Sequence, residues 1–250
     1  MAGHSKWAQI KRKKGATDAK RGQLFSKLAR AIIVAAREGG PDPAGNLALQ
    51  NAVEKAKEAS MPKDNIERAI ARGAGPSADG AAYETVTYEG YGPAGIAVYV
   101  EAVTDNRNRT AAEVRHIFSK AEGSLGESGS VAWLFERRAV VLVDGSADED
   151  ELTLAAAEGG ADDVERDGDS WRVTAPPESL GSVREAVQAA GMSAESAELT
   201  MLPKTTVELE DESAARKVLR LMDALEENDD VQDVYANFDV PERVLETVEG

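Results

Sequence analysis

Lys6, Lys11, Arg12, Lys13 and Lys14 stand within the first fourteen residues, with Trp7 among them. Ammonium and guanidinium groups in such a cluster neutralise phosphate oxygens and release the counterions those phosphates hold. An indole in the same run either stacks on a base or pins the arm to the body of the protein. A second set, Lys20, Lys27, Arg30 and Arg37, is spaced by seven, three and seven residues. At about 100° per residue, that spacing keeps the four within one sector of a helix. A third set surrounds "TDNRNRTAAEVRHIFSK". Thr110 and Glu113 have the spacing of a capping box, which places Arg107 and Arg109 just before a helix, with Arg115, His116 and Lys120 further along. These groups either hold a phosphate at that helix N-terminus or pair with Asp105, Glu101 or Glu113.

Signals for other chemistry are weak. His4 and His116 lie far apart, and neither has the spacing of a metal-binding pair. "GYGPAG", Gly90 to Gly95, fits G-x-G-x-x-G. A dinucleotide site needs a helix after those glycines, whereas a β-branched run follows here, so the segment is expected to be a hairpin. Asp162 with Asp163, and Asp229 with Asp230, fall in turn-like stretches where solvated carboxylates are expected. We expect no catalytic residue, no metal and no cofactor, and hence not an enzyme.

Periodicity supplies the elements that must position the cations. In "DAKRGQLFSKLARAIIVAAREGG", Asp18 is placed to cap a helix, Leu24, Leu28, Ala31, Ile32 and Ala35 repeat on one face, and Gly39 and Gly40 end it. A second helix is expected over Asn46 to Ala59, and a third after "MPKDN" ending at Gly73. Together they make a three-helix domain. After Gly80 the period falls to two, giving strands at about 83–90 and 95–104. A helix over 110–122 and a strand over 130–136 follow, with the loop Gly123 to Ser130 either a linker or a contact element. Residues 137–202 read βαββαβ, the order of a ferredoxin-like sandwich. "KTTVELE", a helix and "VQDVYANFDV" then complete a second such domain around it. The expected fold class is α+β: a helical domain at 1–80, a discontinuous ferredoxin-like domain at 81–136 and 203–240, and an inserted acidic one at 137–202.

Charge divides along the same lines. Residues 1–75 hold 15 Lys and Arg against 7 Asp and Glu, a net of +8, while the remaining residues hold 14 against 38, a net of −24. The insert alone holds 15 acids and 5 bases. A basic segment on an acidic body points to a polyanion partner for the first, and to solvent or a protein partner for the second. The acidic body also keeps the whole from coating nucleic acid indiscriminately. The chain has no cysteine, so disulfide and thiolate chemistry are excluded. No apolar run approaches the ~20 residues of a membrane span. No secretory h-region follows the basic start, so a cytoplasmic location without membrane contact is expected.

The blocks "MAGHSKWAQIKRKKGATDAKRGQLFSKLARAI", "MPKDNIERAIARG", "YEGYGPAGIAVYVEAVTDNRNRTAAEVRHIFSKAEGSLGESGSVAWLFE" and "ALEENDDVQDVYANFDV" resemble the YebC family over essentially the full length. The resemblance implies three domains, one inserted in another, and a non-catalytic role in gene expression. Bacterial members of that family are generally labelled probable DNA-binding transcriptional regulators, the mitochondrial relative is a translational activator, and some bacterial members act at the ribosome. The implied partner is therefore nucleic acid, either DNA or rRNA on the ribosome. The resemblance supplies no binding residues. Residue chemistry alone nominates Lys6, Trp7, Lys11, Arg12, Lys13, Lys14, Lys20, Lys27, Arg30, Arg107 and Arg109. A third reading, a small-ligand sensor built on the ferredoxin-like domains, requires an apolar pocket at a domain interface.

Overall fold

The computed structural model describes residues 18–75 and 83–249. Helices α1 (Asp18–Gly39), α2 (Leu47–Glu58) and α3 (Lys63–Ala74) form the expected bundle. Leu28, Ile32 and Ala35 share the inward stripe of α1 with Ile33 and Ala36, packing on Leu49, Val53, Ile66 and Ala69. Leu24, expected inside, is 40% exposed. Close approach of α1 and α3 depends on Gly73, where a Cβ would stand 2.5 Å from the Ile33 carbonyl oxygen. The turn after α1 is locked by Asn46. Its Oδ1 accepts from the Leu49 amide at the start of α2, while its Nδ2 donates to the carbonyls of Ala35 and Gly40.

The next unit is a four-stranded antiparallel sheet. Strand β1 (Glu84–Tyr91) pairs with β2 (Ala97–Thr104) through the hairpin at 92–96. Ala94 and Gly95 adopt φ of 59° and 74° there, a turn feature that confirms hairpin chemistry for "GYGPAG". Helix α4 (Arg107–Lys120) and the two-residue β3 (Ser124–Leu125) follow. Much later come α7 (Glu212–Glu226) and β9 (Val231–Ala236), and the sheet order is β3-β1-β2-β9. Alternation sends Val98 and Val100 to one face, where Val114 and Phe118 of α4 and Val218, Leu221 and Leu225 of α7 cover them. On the other face Ala97 and Tyr235 meet Val131 and Phe135.

Two expectations of connectivity are corrected. No strand over 130–136 joins this sheet; β3 takes that position, and residues 132–134 form a single 3-10 turn. "KTTVELE" does not enter it either. Its strand β8 (Val207–Glu208) pairs in parallel with β10 (Phe238–Asp239), and β1 occupies the place a third ferredoxin strand would take. A hairpin partner only a few residues away in sequence wins that edge, since loop closure costs less than recruiting a strand from beyond the insert.

The inserted unit runs β4 (Phe135–Asp144), α5 (Glu149–Glu158), β5 (Asp163–Asp167), β6 (Ser170–Ala175), α6 (Leu180–Ala189) and β7 (Ala194–Pro203). Its order, β5-β6-β4-β7, is that of a ferredoxin-like sandwich. Val141, Val143, Leu152, Trp171, Val173, Val183 and Val187 fill its core. The final helix is α8 (Glu242–Glu249). Among the described residues, no helix is long and apolar enough to cross a membrane.

Candidate nucleic-acid interface

Helix α1 carries Gln23, Lys27 and Arg30 at i, i+4 and i+7, one stripe of its surface. That stripe lies against the turn between α7 and β9. Gln23 Nε2 donates to the Glu227 carbonyl at 2.6 Å and to Asp229 Oδ1 at 3.0 Å. Lys27 Nζ donates to the Glu226 carbonyl at 2.5 Å. Arg30 Nη1 donates to the Asp229 carbonyl at 2.5 Å and to Asp230 Oδ1 at 3.1 Å. Beyond the turn, Asp233 of β9 pairs with Lys55 of α2 at 3.1 Å.

Asp230 is the centre of this joint. It is 4% exposed, and its Oδ2 accepts from Arg109 at 2.6 Å, Thr110 at 2.7 Å and Thr104 at 3.2 Å. Burial by itself pushes this carboxyl up, but the bonds from Arg109 and Thr110 and the charges of Arg109 and Arg30 outweigh it and hold its pKa below the ordinary carboxylate value. The expectation that Asp229 and Asp230 are both solvated is therefore corrected for the second. Nothing local in the sequence marks Asp230, because its partners lie 120 or more residues away.

The helix expected to start at Thr110 starts at Arg107, with Asn106 as its cap. Asn106 Oδ1 accepts the Arg109 amide, so a side chain of the protein already fills the position a phosphate oxygen would take. Arg107 and Arg109 sit in the first turn rather than before it. They also part company: Arg109 is bound to Asp105 and Asp230, whereas Arg107 is largely exposed beside Glu84 at 3.7 Å. Internal pairing thus holds Arg109, through Asp105 as expected and Asp230 in place of Glu101 or Glu113. Arg115, His116 and Lys120 are exposed on α4. The cleft beside Arg109 has a volume of about 410 Å³ and is lined by Arg30, Asp105, Glu113 and the 227–230 turn. Its charged walls are not the apolar pocket a small-ligand sensor requires.

Arg21, Arg37, Lys57, Lys63, Arg68 and Arg72 of the bundle are exposed. Arg30 and Arg72 flank the Tyr83 ring at 5.7 and 5.9 Å, and Arg37 donates to the Tyr83 carbonyl. Lys20 lies in the first turn of α1. Lys6, Trp7, Lys11, Arg12, Lys13 and Lys14 lie outside the described residues.

A helical bundle followed by two ferredoxin-like units, one inserted in the other, defines a class of three-domain α+β proteins. Residues 5–76 match the model of the TACO1/YebC protein N-terminal domain, and residues 83–238 match that of the TACO1/YebC second and third domain. The chain belongs to the TACO1/YebC family. A "probable transcriptional regulatory protein" of Rubrobacter xylanophilus is 62% identical over 100% of both chains. One of the same name from Halothermothrix orenii is 53% identical over 99% of each. Among solved structures, a conserved hypothetical protein from Aquifex aeolicus superposes with a TM-score of 0.80 at 50% identity, covering 90% of this chain and 93% of that one.

Proposed function

We propose that this protein is a non-catalytic, nucleic-acid-binding regulator of gene expression, acting on DNA in the cytoplasm. The observation that carries the reading is the segregation of charge: a net of +8 over residues 1–75 against −24 over the rest, coincident with the boundary between helical bundle and sheets. A polyanion attracted to the first part is repelled by the second, so it is held in one orientation. The names of the close relatives, probable transcriptional regulatory proteins, agree with it. The arm residues Lys6, Lys11, Arg12, Lys13 and Lys14, with Lys20, Lys27 and Arg30 of α1, supply the phosphate contacts, and Trp7 lies among them. Arg107 adds a cation on the second domain. The acidic insert is the surface on which a protein partner would dock. We keep the three domains as 1–80, 81–136 with 203–240, and 137–202.

Deleting residues 1–14 tests the reading. If each of the five arm cations neutralises one phosphate, the slope of log affinity against log salt flattens by roughly 4 to 5 units on duplex DNA and about 3.5 on single strands. An unchanged slope shows that the arm makes no phosphate contact. Gradient sedimentation of a lysate separates DNA from rRNA as the target. Salt-reversible travel with ribosomal particles, without preference for any promoter fragment, assigns the protein to translation instead.

A further inference from the structure

We infer that the acidic segment at 226–233, running from the end of α7 through the turn into the start of β9, is an internal competitor for the phosphate backbone, covering the cationic stripe of α1 and α2 until nucleic acid displaces it. The inference rests on the nucleic-acid reading above and deepens it by naming how that site is regulated.

The geometry is that of a polyanion trace. Donors at positions 23, 27 and 30 of α1, and at 55 of α2, meet a row of oxygens along one stretch of chain: the carbonyls of Glu226, Glu227 and Asp229 and the carboxylates of Asp229, Asp230 and Asp233. Three of those acceptors are main-chain carbonyls with no formal charge. Lys27 and Arg30 meet two of these neutral carbonyls, whereas a phosphate oxygen would add a full opposite charge at the same ammonium and guanidinium. Asp233, with Glu198 and Glu101, raises the pKa of Lys55, but the pair is open to water, its side chains 49% and 36% exposed, so solvent and salt compete with it. The largest apolar clusters lie on either side of the joint, Leu28, Ile32 and Leu49 in the bundle and Val218, Leu221 and Val234 in the sheet unit, with Tyr83 at the entry to the sheet unit packed on the bundle core. At the turn itself the contacts that hold the stripe are polar, and a phosphodiester backbone reproduces them. Only the fraction of molecules with the joint released offers the full stripe, and the measured affinity is lowered by that fraction.

The test uses the full chain with the triple change Asp229→Asn, Asp230→Asn and Asp233→Asn. A second variant keeps Asp230 and changes only Asp229 and Asp233, in case the buried position is needed for folding. Asp150→Asn with Glu151→Gln and Glu195→Gln, exposed carboxylates of the insert, is the control for net charge. Small-angle scattering without nucleic acid reads the release, and titration with a random DNA duplex and with an RNA hairpin reads affinity. The expected result is a larger radius of gyration and binding of either probe tightened by roughly three- to tenfold, with the control unmoved in size and its affinity changed far less. The inference is overturned if the released variants bind no more tightly than the control. It is equally overturned if binding tightens without any change in size, since charge alone then accounts for it. Binding of neither probe by any of these proteins, whether opened or not, sinks the nucleic-acid reading itself. Binding by the released variants at the wild-type level sinks only the competitor.

Discussion

Arg107 and Arg109 show how little spacing says about an individual side chain. Two residues apart on the first turn of α4, one is 63% exposed beside Glu84 and the other is bound to a buried carboxylate. Arg107→Ala is expected to change stability by less than about 0.5 kcal/mol. Arg109→Ala leaves Asp230 with Thr104, Thr110 and Arg30 as donors. Since the guanidinium is itself partly exposed, a loss of about 1–2 kcal/mol is expected. Denaturant titration of both variants checks the split, and equal effects would show that Asp230 does not depend on Arg109. Asp230→Asn carries a pH signature. Its folded pKa lies below the ordinary value, so its contribution is complete above the unfolded value of about 3.9 and disappears as pH falls through the folded one. The stability gap between wild type and D230N is therefore expected to be full at neutral pH and to close below about pH 4. A calorimetric pH series measures it, and a constant gap down to pH 2 contradicts the assignment.

Among the elements, the loop from Gly126 to Leu134 departs most from its expected character. Glycine and serine content made "GSLGESGS" a linker or a contact element by sequence. In the structure a buried carboxylate organises its second half. Glu89, 4% exposed, accepts from the amides of Gly129 at 2.7 Å, Val131 at 2.8 Å and Ala132 at 2.7 Å. Burial raises that carboxyl, but the three bonds prevail and lower its pKa. The Ser130 carbonyl accepts from both the Tyr91 hydroxyl and the Trp133 indole, leaving Trp133 64% exposed on a fixed backbone. Glu89→Ala strands three amides and is expected to cost about 2–4 kcal/mol. Hydrogen exchange should quicken at Gly129, Val131 and Ala132 while the β1–β2 ladder stays protected. Unchanged exchange at those three amides would show that the loop holds itself.

At the scale of the whole molecule, an apolar cluster of Ala97, Tyr235, Phe135 and Met201 joins the sheet unit to the insert, while the helical bundle meets both largely through charge. Arg184 of the insert pairs with Glu54 of α2 at 2.9 Å, Lys55 pairs with Asp233, and the α1 stripe meets the 226–230 turn. Near Lys55 the negative charge is dense: burial, then Asp233, raises Glu101, and burial followed by Glu198 and Glu54 raises Glu58. Joints of this kind weaken as salt shortens the screening length to about 3 Å at 1 M. Calorimetry at low salt is expected to give a merged unfolding transition, and at about 1 M salt a separate one for the helical bundle. A single transition unaffected by salt would show that apolar contacts couple the domains instead.

Much of this architecture was legible in the chain, because its signals are local. The 3.6-residue period of "LFSKLARAIIVAA" and the two-residue period of "YETVTY" need only neighbours, as do the glycines of "GYGPAG" and the charge break near residue 75. The βαββαβ order of the insert is likewise a property of consecutive segments. What the tertiary structure alone decided depends on partners far apart in sequence. Which strand fills the open place beside β2 is a contest between β1 and β8, settled by pairing and loop closure rather than by propensity. Whether Lys27, Arg30 and Arg109 face solvent or protein depends on a turn some 120 to 200 residues later. Sequence specifies that these side chains are positive and that they share a face. The oxygens they meet are set by how the three domains close on one another, and no local pattern encodes that closure.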